Sequence, residues 1–395
     1  HMHDASQPDL NWDNPEVRRE CADVVRFWRD KGVSGFRFDV VSLISKPEVF
    51  EDDPVGTGRA VVADGPHVHE YLQELVCEAG IQDMLTVGEM ASTTLENCIL
   101  YTRPEDRELT MAFSFHHLKV DYKGGDKWSL MAPDIARLQE LFATWQEGMQ
   151  SGGGWNALFW DNHDQPRAVS RFCDDGELRV PAAKMLACVG CLMRGTPYVY
   201  QGDELAMTNT HFTGIDEYRD VESLNSYRIL RERGESAQEA LRAVGARSRD
   251  NGRTPMQWGS GRAAGFTAGE PWIPMARDAR GCRQADITVE AEEADPASVL
   301  AFYRDVVRLR HELPVIATGK VRFLDAGAVP VIGYERFGEL PVGERYDAST
   351  ATDADLLAPG SLLVLGNFSS GEAPAGARAR RLLAAGGWRV LLSGY

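Results

Sequence analysis

The stretch that decides the fold is Gly35-Phe36-Arg37-Phe38-Asp39, an apolar, β-prone run that ends on a carboxylate. Two later stretches have the same form, Leu85-Thr86-Val87-Gly88-Glu89 and Phe159-Trp160-Asp161-Asn162-His163-Asp164. In parallel α/β folds the carboxyl ends of the strands open on one mouth, so acids placed there meet although they lie far apart in sequence. Each acid taken singly is also compatible with a strand cap or a pair with a nearby arginine. Together they predict one site with three carboxylates, which suits glycoside hydrolysis.

Helical and strand patterns alternate along the first half of the chain. The apolar spacing predicts helices over 15–32, 67–79, 134–150 and 182–193, and strands over 33–41, 84–90, 111–117, 157–164 and 196–201. Strands that alternate with helices predict a parallel βα barrel, and these residues account for about five of its strands.

The pattern changes after a helix that is predicted for 299–313, because Pro314 cannot continue a helix. The β-prone runs beyond it are 321–324, 331–334, 362–368 and 388–392, separated by turns rich in Gly, Pro and Ala. They predict a small antiparallel β domain that packs beneath the barrel. We therefore expect two domains, a partial barrel over 1–313 and a β-sandwich over 314–395.

The composition excludes several classes of protein. The 395 residues carry a formal net charge of −17, which argues against nucleic acid or an anionic membrane as partner, because both favour a basic surface. The negative net charge is still compatible with a small anionic substrate, because the overall field is screened by salt whereas a local lysine cluster attracts an anion in direct contact. The seven cysteines lack framework spacing, which favours a reducing cytoplasm. Without zinc spacing or a nucleotide fingerprint, we expect no metal and no cofactor, and the oligomeric state stays open.

Several segments resemble signature segments of the α-amylase superfamily of retaining glycoside hydrolases. They are QPDLN (7–11), GFRFD (35–39), GEM (88–90) and NHDQPR (162–167), while YRDVE (218–222) and SRDNGRTPMQW (248–258) resemble the oligo-1,6-glucosidase and α-glucosidase branch. The resemblance implies a (β/α)8 barrel with three strands before residue 7. The chain is therefore expected to begin near the fourth strand and to be inactive by itself.

The three acids have different expected roles. A retaining mechanism needs an ionised nucleophile, and Arg37 lies two residues before Asp39, on the same face of the strand, so Asp39 is the expected nucleophile. Glu89 is the expected general acid and then base, because burial and the charge of Asp39 raise its pKa. The resemblance implies that Asp164 and His163 hold the sugar's hydroxyl groups. The alternative for His163 is a buried core histidine.

Two arginines and two lysines complete the predicted site. The resemblance implies that one of Arg249 and Arg253 contacts the innermost sugar while the other braces it, with Arg249 favoured for the contact. Segment 115–128 resembles trehalose-6-phosphate hydrolases, and Lys119 stands where relatives that act on neutral sugars carry an acidic residue. Lys119 and Lys127 follow a strand end, so they are expected to bind a phosphate. A solvated lysine face is the alternative.

Three functions stay open at this point. The first is hydrolysis of trehalose 6-phosphate to glucose and glucose 6-phosphate with retention at the anomeric carbon. The second is an oligo-1,6-glucosidase or α-glucosidase that acts on neutral oligosaccharides, and affinity for phosphate separates it from the first. The third is a non-catalytic remnant or assembly partner, against which the intact Asp39, Glu89 and Asp164 speak.

Overall fold

The structure is a computed structural model of the chain. It describes residues 6–52, 59–278, 281, 284, 286–324, 330–385 and 387–394, and all structural statements concern these residues.

Five short parallel strands form the framework of the described part of the chain. They are β1 (Gly35–Phe38), β2 (Leu85–Met90), β3 (Met111–Ser114), β4 (Ala157–Leu158) and β5 (Thr196–Pro197). The strands β1, β2 and β3 pair in that order, β4 pairs with β5, and a parallel bridge between Ala112 and Asn156 joins the two groups. The predicted alternation of five strands with helices is therefore confirmed.

The close pairing of β1 with β2 depends on a glycine. A Cβ atom at Gly35 would lie 2.7 Å from the carbonyl oxygen of Leu85, far inside normal contact. Glycine therefore lets the two strands approach closely enough to bring the ends of β1 and β2 side by side.

The long helices lie before, between and after these strands. Those of eight or more described residues are α1 (Pro15–Asp30), α2 (Val68–Ala79), α3 (Leu95–Thr102), α4 (Ile135–Gly152), α5 (Arg179–Cys191), α6 (Val221–Glu232), α7 (Ala237–Arg247), α8 (Val299–Glu312) and α9 (Ala377–Ala384). Shorter helices span Arg59–Val62, Ala168–Phe172, Asp250–Arg253, Val289–Ala294, Pro314–Thr318 and Asp353–Leu356. Among the described residues, no helix is both long and apolar enough to cross a membrane.

The strands are shorter than the sequence predicted. The run 157–164 is a strand only over Ala157–Leu158, because a polar turn follows it. In that turn the Asn162 Oδ1 atom accepts the Asp164 N–H at 2.8 Å, and the Asn162 carbonyl accepts the Gln165 N–H at 3.1 Å. Such local bonds compete with strand pairing. The acid Asp164 therefore lies on a turn at the mouth.

The C-terminal region contains an antiparallel sheet in the order β6 (Lys320–Phe323), β7 (Val331–Phe337) and β8 (Leu362–Asn367). It packs on helices of the barrel, since the Gln150 side chain bonds to the backbone of Val321 and the Tyr334 hydroxyl donates to the Val189 carbonyl at 2.8 Å. The predicted small antiparallel domain is thus present as a sheet. The division at residue 313 stays a prediction.

One predicted strand of this region is wrong. Residues 388–392 pair with no strand of the described chain, and helix α9 precedes them. The Trp388 indole N–H donates to the Leu382 carbonyl at 2.7 Å, so the segment folds back on α9. Of the apolar residues that suggested a strand there, Trp388 packs against α9, whereas Val390 is 80% exposed.

Candidate active site

The first two predicted acids meet at the ends of β1 and β2. Arg37 on β1 forms ion pairs with both Asp39 and Glu89, one from each end of its guanidinium group. The register places Arg37 beside Val87, so the guanidinium group reaches both strand ends. The sequence predicted the pair between Arg37 and Asp39, and the structure adds the bond to Glu89.

The two carboxyl groups differ in exposure. The Asp39 side chain is 71% exposed, whereas the Glu89 side chain is 14% exposed. Partial burial alone would raise the pKa of Asp39, but hydrogen bonds from Arg37 and Glu89 and the charges of Arg37 and His163 lower it. Burial raises the pKa of Glu89 to about 7, Arg37 opposes that rise, and the negative charges of Asp39 and Asp164 add to it. Near neutral pH the pair can thus hold one ionised carboxylate and one protonated acid.

The third acid lies on the turn after β4 and is held by two arginines. The Arg253 guanidinium donates to the Asp164 Oδ1 atom at 2.6 Å and to the His163 carbonyl at 2.8 Å. Arg249 reaches the same Asp164 oxygen at 3.4 Å. Arg253 thus braces both the backbone and the acid of this turn, while Arg249 lies farther from the acid.

His163 is exposed and does not pack in the core. Its Nε2 atom lies 3.7 Å from the Asp164 Oδ2 atom, and its side chain is 56% exposed. The alternative interpretation of His163 as a buried core residue is therefore wrong. Its exposed position beside Asp164 leaves the ring at the mouth.

A glutamate that received no role from the sequence holds two of the predicted site residues. The Glu222 Oε2 atom accepts from the Arg249 Nε atom at 3.1 Å and from the Lys127 ammonium group at 2.7 Å. The Lys127 ammonium also lies 5.0 Å from the centre of the Trp128 ring. The charge of Lys127 is therefore matched within the protein. The sequence signal for Glu222 was its place in the segment YRDVE, without any indication of its partners.

The other lysine, Lys119, is exposed on a single helical turn, His116–Lys119, that directly follows β3. It is thus on the rim formed by the carboxyl ends of the strands. Its positive charge, after the larger effect of burial, helps to hold the pKa of His116 to about 4. Lys119 and Lys127 therefore differ in exposure, although the sequence predicted the same role for both.

A buried arginine fixes the base of the mouth. Arg167 is 1% exposed, and its side chain donates to the carbonyls of Gln201 at 2.6 Å and Asn251 at 3.2 Å. Its backbone N–H donates to the Asn209 side chain at 2.9 Å. Arg167 thus ties the turn after β4 to the loop after β5 and to the segment that carries Arg249 and Arg253. Over the described ranges, no group of three or more His, Cys, Asp or Glu side chains is placed to hold a metal ion.

The chain matches known proteins over most of its length. The family model described as "Alpha amylase, catalytic domain" matches residues 1–319. Trehalose-6-phosphate hydrolase of Bacillus subtilis (strain 168) is 47% identical over 91% of this chain, and that of Escherichia coli (strain K12) is 52% identical over 82%. An oligo-1,6-glucosidase of Parageobacillus thermoglucosidasius is 46% identical over 81%.

The relatives are longer than this chain. It covers 64% of the Bacillus subtilis protein, 58% of the Escherichia coli protein and 57% of the oligo-1,6-glucosidase. A crystal structure of trehalose-6-phosphate hydrolase from Bacillus licheniformis superposes with a TM-score of 0.80 at 48% identity, over 86% of this chain and 60% of that one. Both the family model and the superposition agree with the parallel strands and the mouth described above. This chain therefore belongs to the α-amylase family and has the (β/α)8 barrel fold of that family's catalytic domain.

Proposed function

We propose that this chain provides the catalytic acids of a retaining glycosidase that hydrolyses trehalose 6-phosphate to glucose and glucose 6-phosphate. Asp39 is the nucleophile, Glu89 is the general acid and then the base, and Asp164 with His163 holds the hydroxyl groups of the sugar that is cleaved. Arg249 contacts that sugar, and Arg253 braces the turn that carries Asp164 and His163.

The observation that carries the proposal is the opposite tuning of two neighbouring carboxyl groups. Arg37 and Glu89 lower the pKa of the exposed Asp39, while burial raises that of Glu89 to about 7. Double displacement needs an ionised nucleophile and a protonated acid at the same pH. Arg249 and Arg253 form ion pairs with Asp164, so two cations hold the third acid in position.

In the proposed reaction, the Asp39 carboxylate attacks the anomeric carbon while Glu89 gives its proton to the leaving oxygen. Glucose 6-phosphate leaves, and the glucosyl group is bound covalently to Asp39. Glu89, now ionised, takes a proton from water, and that water releases glucose and restores Asp39. Two inversions give net retention of configuration, and Glu89 regains its proton at the end.

The proposal of a phosphorylated substrate rests on similarity and on one lysine. Two of the relatives compared here are named trehalose-6-phosphate hydrolases. Lys119 is exposed on the rim after β3. Its ammonium group can therefore contact the phosphate of a bound substrate at the protein surface. Lys127 supports the same region, although its charge is already matched by Glu222.

The second candidate is an oligo-1,6-glucosidase on neutral oligosaccharides, favoured by the relative of that name at 46% identity. The two candidates share the acids and differ in what binds beyond the cleaved bond. The deciding experiment compares kcat/KM for trehalose 6-phosphate, trehalose and isomaltose, in a protein of the relatives' full length that contains this chain. A preference for trehalose 6-phosphate over trehalose of tenfold or more, about 1.4 kcal/mol, supports the first candidate, and a preference for isomaltose supports the second.

We place this activity in the cytoplasm. Six cysteines lie in the described residues, and none of them is paired in a disulfide. A reducing compartment keeps thiols in that state. Mass spectrometry of the alkylated native protein tests this, because disulfides in the isolated protein would point to an oxidising compartment.

A further inference from the structure

Beneath the candidate site lies a second carboxyl pair that the proposed reaction does not use. Asp161 follows β4 and is 2% exposed, and Asp203 begins the short helix Asp203–Leu205 after β5. Their carboxyl groups are within hydrogen-bond reach of each other. Asp161 is thus an interior acid, and Asp203, which is partly exposed, reaches it from the neighbouring loop.

The bonds of Asp161 show why a proton is needed between them. The Asp161 Oδ2 atom accepts the Ala168 N–H at 2.8 Å. The other oxygen, Oδ1, is buried, and no donor among the described residues reaches it. A buried acceptor without a donor is destabilising. A protonated Asp203 would remove this deficit, because it would donate to Asp161.

The surroundings decide which acid keeps the proton. Asp161 has the Ala168 N–H and the charge of Arg167, both of which favour the ionised form. Asp203 instead lies beside Asp161 and Glu204, and it lines a small cavity whose other walls include Trp160, Met207 and Tyr303. Negative neighbours and apolar walls favour the neutral acid. The titratable and charged groups that face the pair from the packed elements are Arg167, Arg171, Cys191, Tyr200, Glu204 and Tyr303.

The pair closes the turn that carries two residues of the proposed site. The bond from Ala168 to Asp161 joins the two ends of the turn 161–168. Within that turn the Asp164 N–H is held by Asn162, and the His163 carbonyl is held by Arg253. A bond donated by Asp203 to Asp161 would join the base of this turn to the loop after β5. It would thereby limit how His163 and Asp164 can move.

We propose that Asp203 is a positioning residue that keeps its proton at neutral pH and donates it to Asp161, which fixes the turn that presents His163 and Asp164. The assignment of the turn to sugar binding rests on the proposed function. The shared proton and its effect on the turn do not rest on the proposed function, so they can be tested without measuring enzyme activity.

The first experiment is infrared spectroscopy of this chain at neutral pH, which detects the C=O stretch of protonated carboxyl groups. Glu89→Gln provides the background, because Glu89 itself has a pKa of about 7. In that background we expect a protonated-carboxyl band that disappears in Asp203→Asn. The band should persist in the control Asp305→Asn, which changes an exposed acid on α8. A band that persists in Asp203→Asn, or no band at all in the background, would overturn the proposal.

The second experiment measures stability against pH and stays informative if one variant folds poorly. A raised pKa in the folded state means that the stabilisation is fully present below the unfolded pKa and is lost as pH rises through the folded pKa. Wild type should therefore lose melting temperature between pH 5 and pH 8 more steeply than Asp203→Asn, whose amide donates at every pH. The Asp305→Asn control should follow wild type. Equal slopes of melting temperature against pH for wild type and Asp203→Asn would contradict an Asp203 that keeps its proton in the folded protein.

The third experiment links the pair to substrate binding in a protein of the relatives' full length that contains this chain. Asp203→Ala removes the donor and should raise KM for trehalose 6-phosphate about tenfold. Asp203→Asn keeps a donor, so its KM should stay close to that of wild type. If wild type and both variants fail to turn over trehalose 6-phosphate while the infrared band behaves as expected, the proposed function fails and the shared proton stands. If Ala and Asn are equally impaired although both fold, Asp203 does not act through a donated bond.

Discussion

This protein contains two pairs of neighbouring carboxyl groups, and the pairs differ in what surrounds them. Asp39 and Glu89 open on the mouth and share Arg37, whereas Asp161 and Asp203 lie beneath the turn, where Asp203 faces an apolar cavity. Burial raises the pKa of Glu89 to about 7 and that of Asp161 to about 6, so burial acts on both pairs. The difference is access. In the proposed roles, the exposed Asp39 and the bridging Arg37 leave the first pair open to a reaction, whereas the proton of the second pair holds a turn in place.

The largest effect is expected from substitutions in the pair Asp39 and Glu89. Asp39→Asn removes the nucleophile and Glu89→Gln removes the proton donor, so each variant should lower kcat by about 10²–10⁴-fold or more. Single-turnover kinetics on a protein of the relatives' full length measures the loss, and circular dichroism checks the fold. A variant that keeps a kcat near wild type would remove its residue from the proposed mechanism.

The two lysines also differ in exposure, and Lys119→Ala tests the exposed one. A charge-assisted contact to phosphate contributes about 1.5–3 kcal/mol, so KM for trehalose 6-phosphate should rise about ten- to a hundredfold. Hydrolysis of an uncharged aryl α-glucoside should barely change, because that substrate makes no such contact. Equal losses on both substrates would assign Lys119 a structural role.

A further test shifts the pH dependence of the open pair through Arg37→Gln. The reaction needs ionised Asp39 and protonated Glu89, so wild-type kcat/KM should fall as pH rises through about 7. Arg37 lowers the pKa of both acids, so its loss should move both limbs of the profile to higher pH, by about one unit or more. The measurement is kcat/KM from pH 4 to pH 9. Arg249→Gln serves as the control, because Arg249 contacts Asp164 and leaves Arg37 in place. An unshifted profile in Arg37→Gln would show that another group sets these pKa values.

The smallest effect is expected from Lys127, whose ammonium group is paired with Glu222. Lys127→Ala breaks a partly exposed ion pair with Glu222, and such pairs contribute about 0.2–1 kcal/mol. KM should therefore rise by no more than about fivefold, and equally for trehalose 6-phosphate and an aryl α-glucoside, because both depend on the Arg249 that Glu222 holds. A loss confined to the phosphorylated substrate would instead make Lys127 a phosphate contact.

The sequence alone determined the features that depend on local pattern. The alternation of strands and helices predicted five parallel strands, and the carboxylates at three strand ends predicted where the acids lie. The position of Arg37 two residues before Asp39 predicted their ion pair, because residues two apart share a face of a strand. The five parallel strands and the ion pair are confirmed, because each follows from the period of a strand or from the geometry of parallel sheets. Asp164 instead lies on a turn beyond the end of β4.

Only the tertiary structure decided which partners meet across loops that are distant in sequence. Glu222 lies 95 residues from Lys127 and 27 from Arg249, and nothing in its own segment indicates that it holds both. The shared position of Asp161 and Asp203 likewise depends on how the loops after β4 and β5 pack. Segment 388–392 shows the same limit, because its apolar pattern suits a strand although it pairs with no strand of the described chain. Local pattern sets what an element can be, but contact with a distant neighbour sets which charges are matched, which acid keeps its proton and which apolar run becomes a strand.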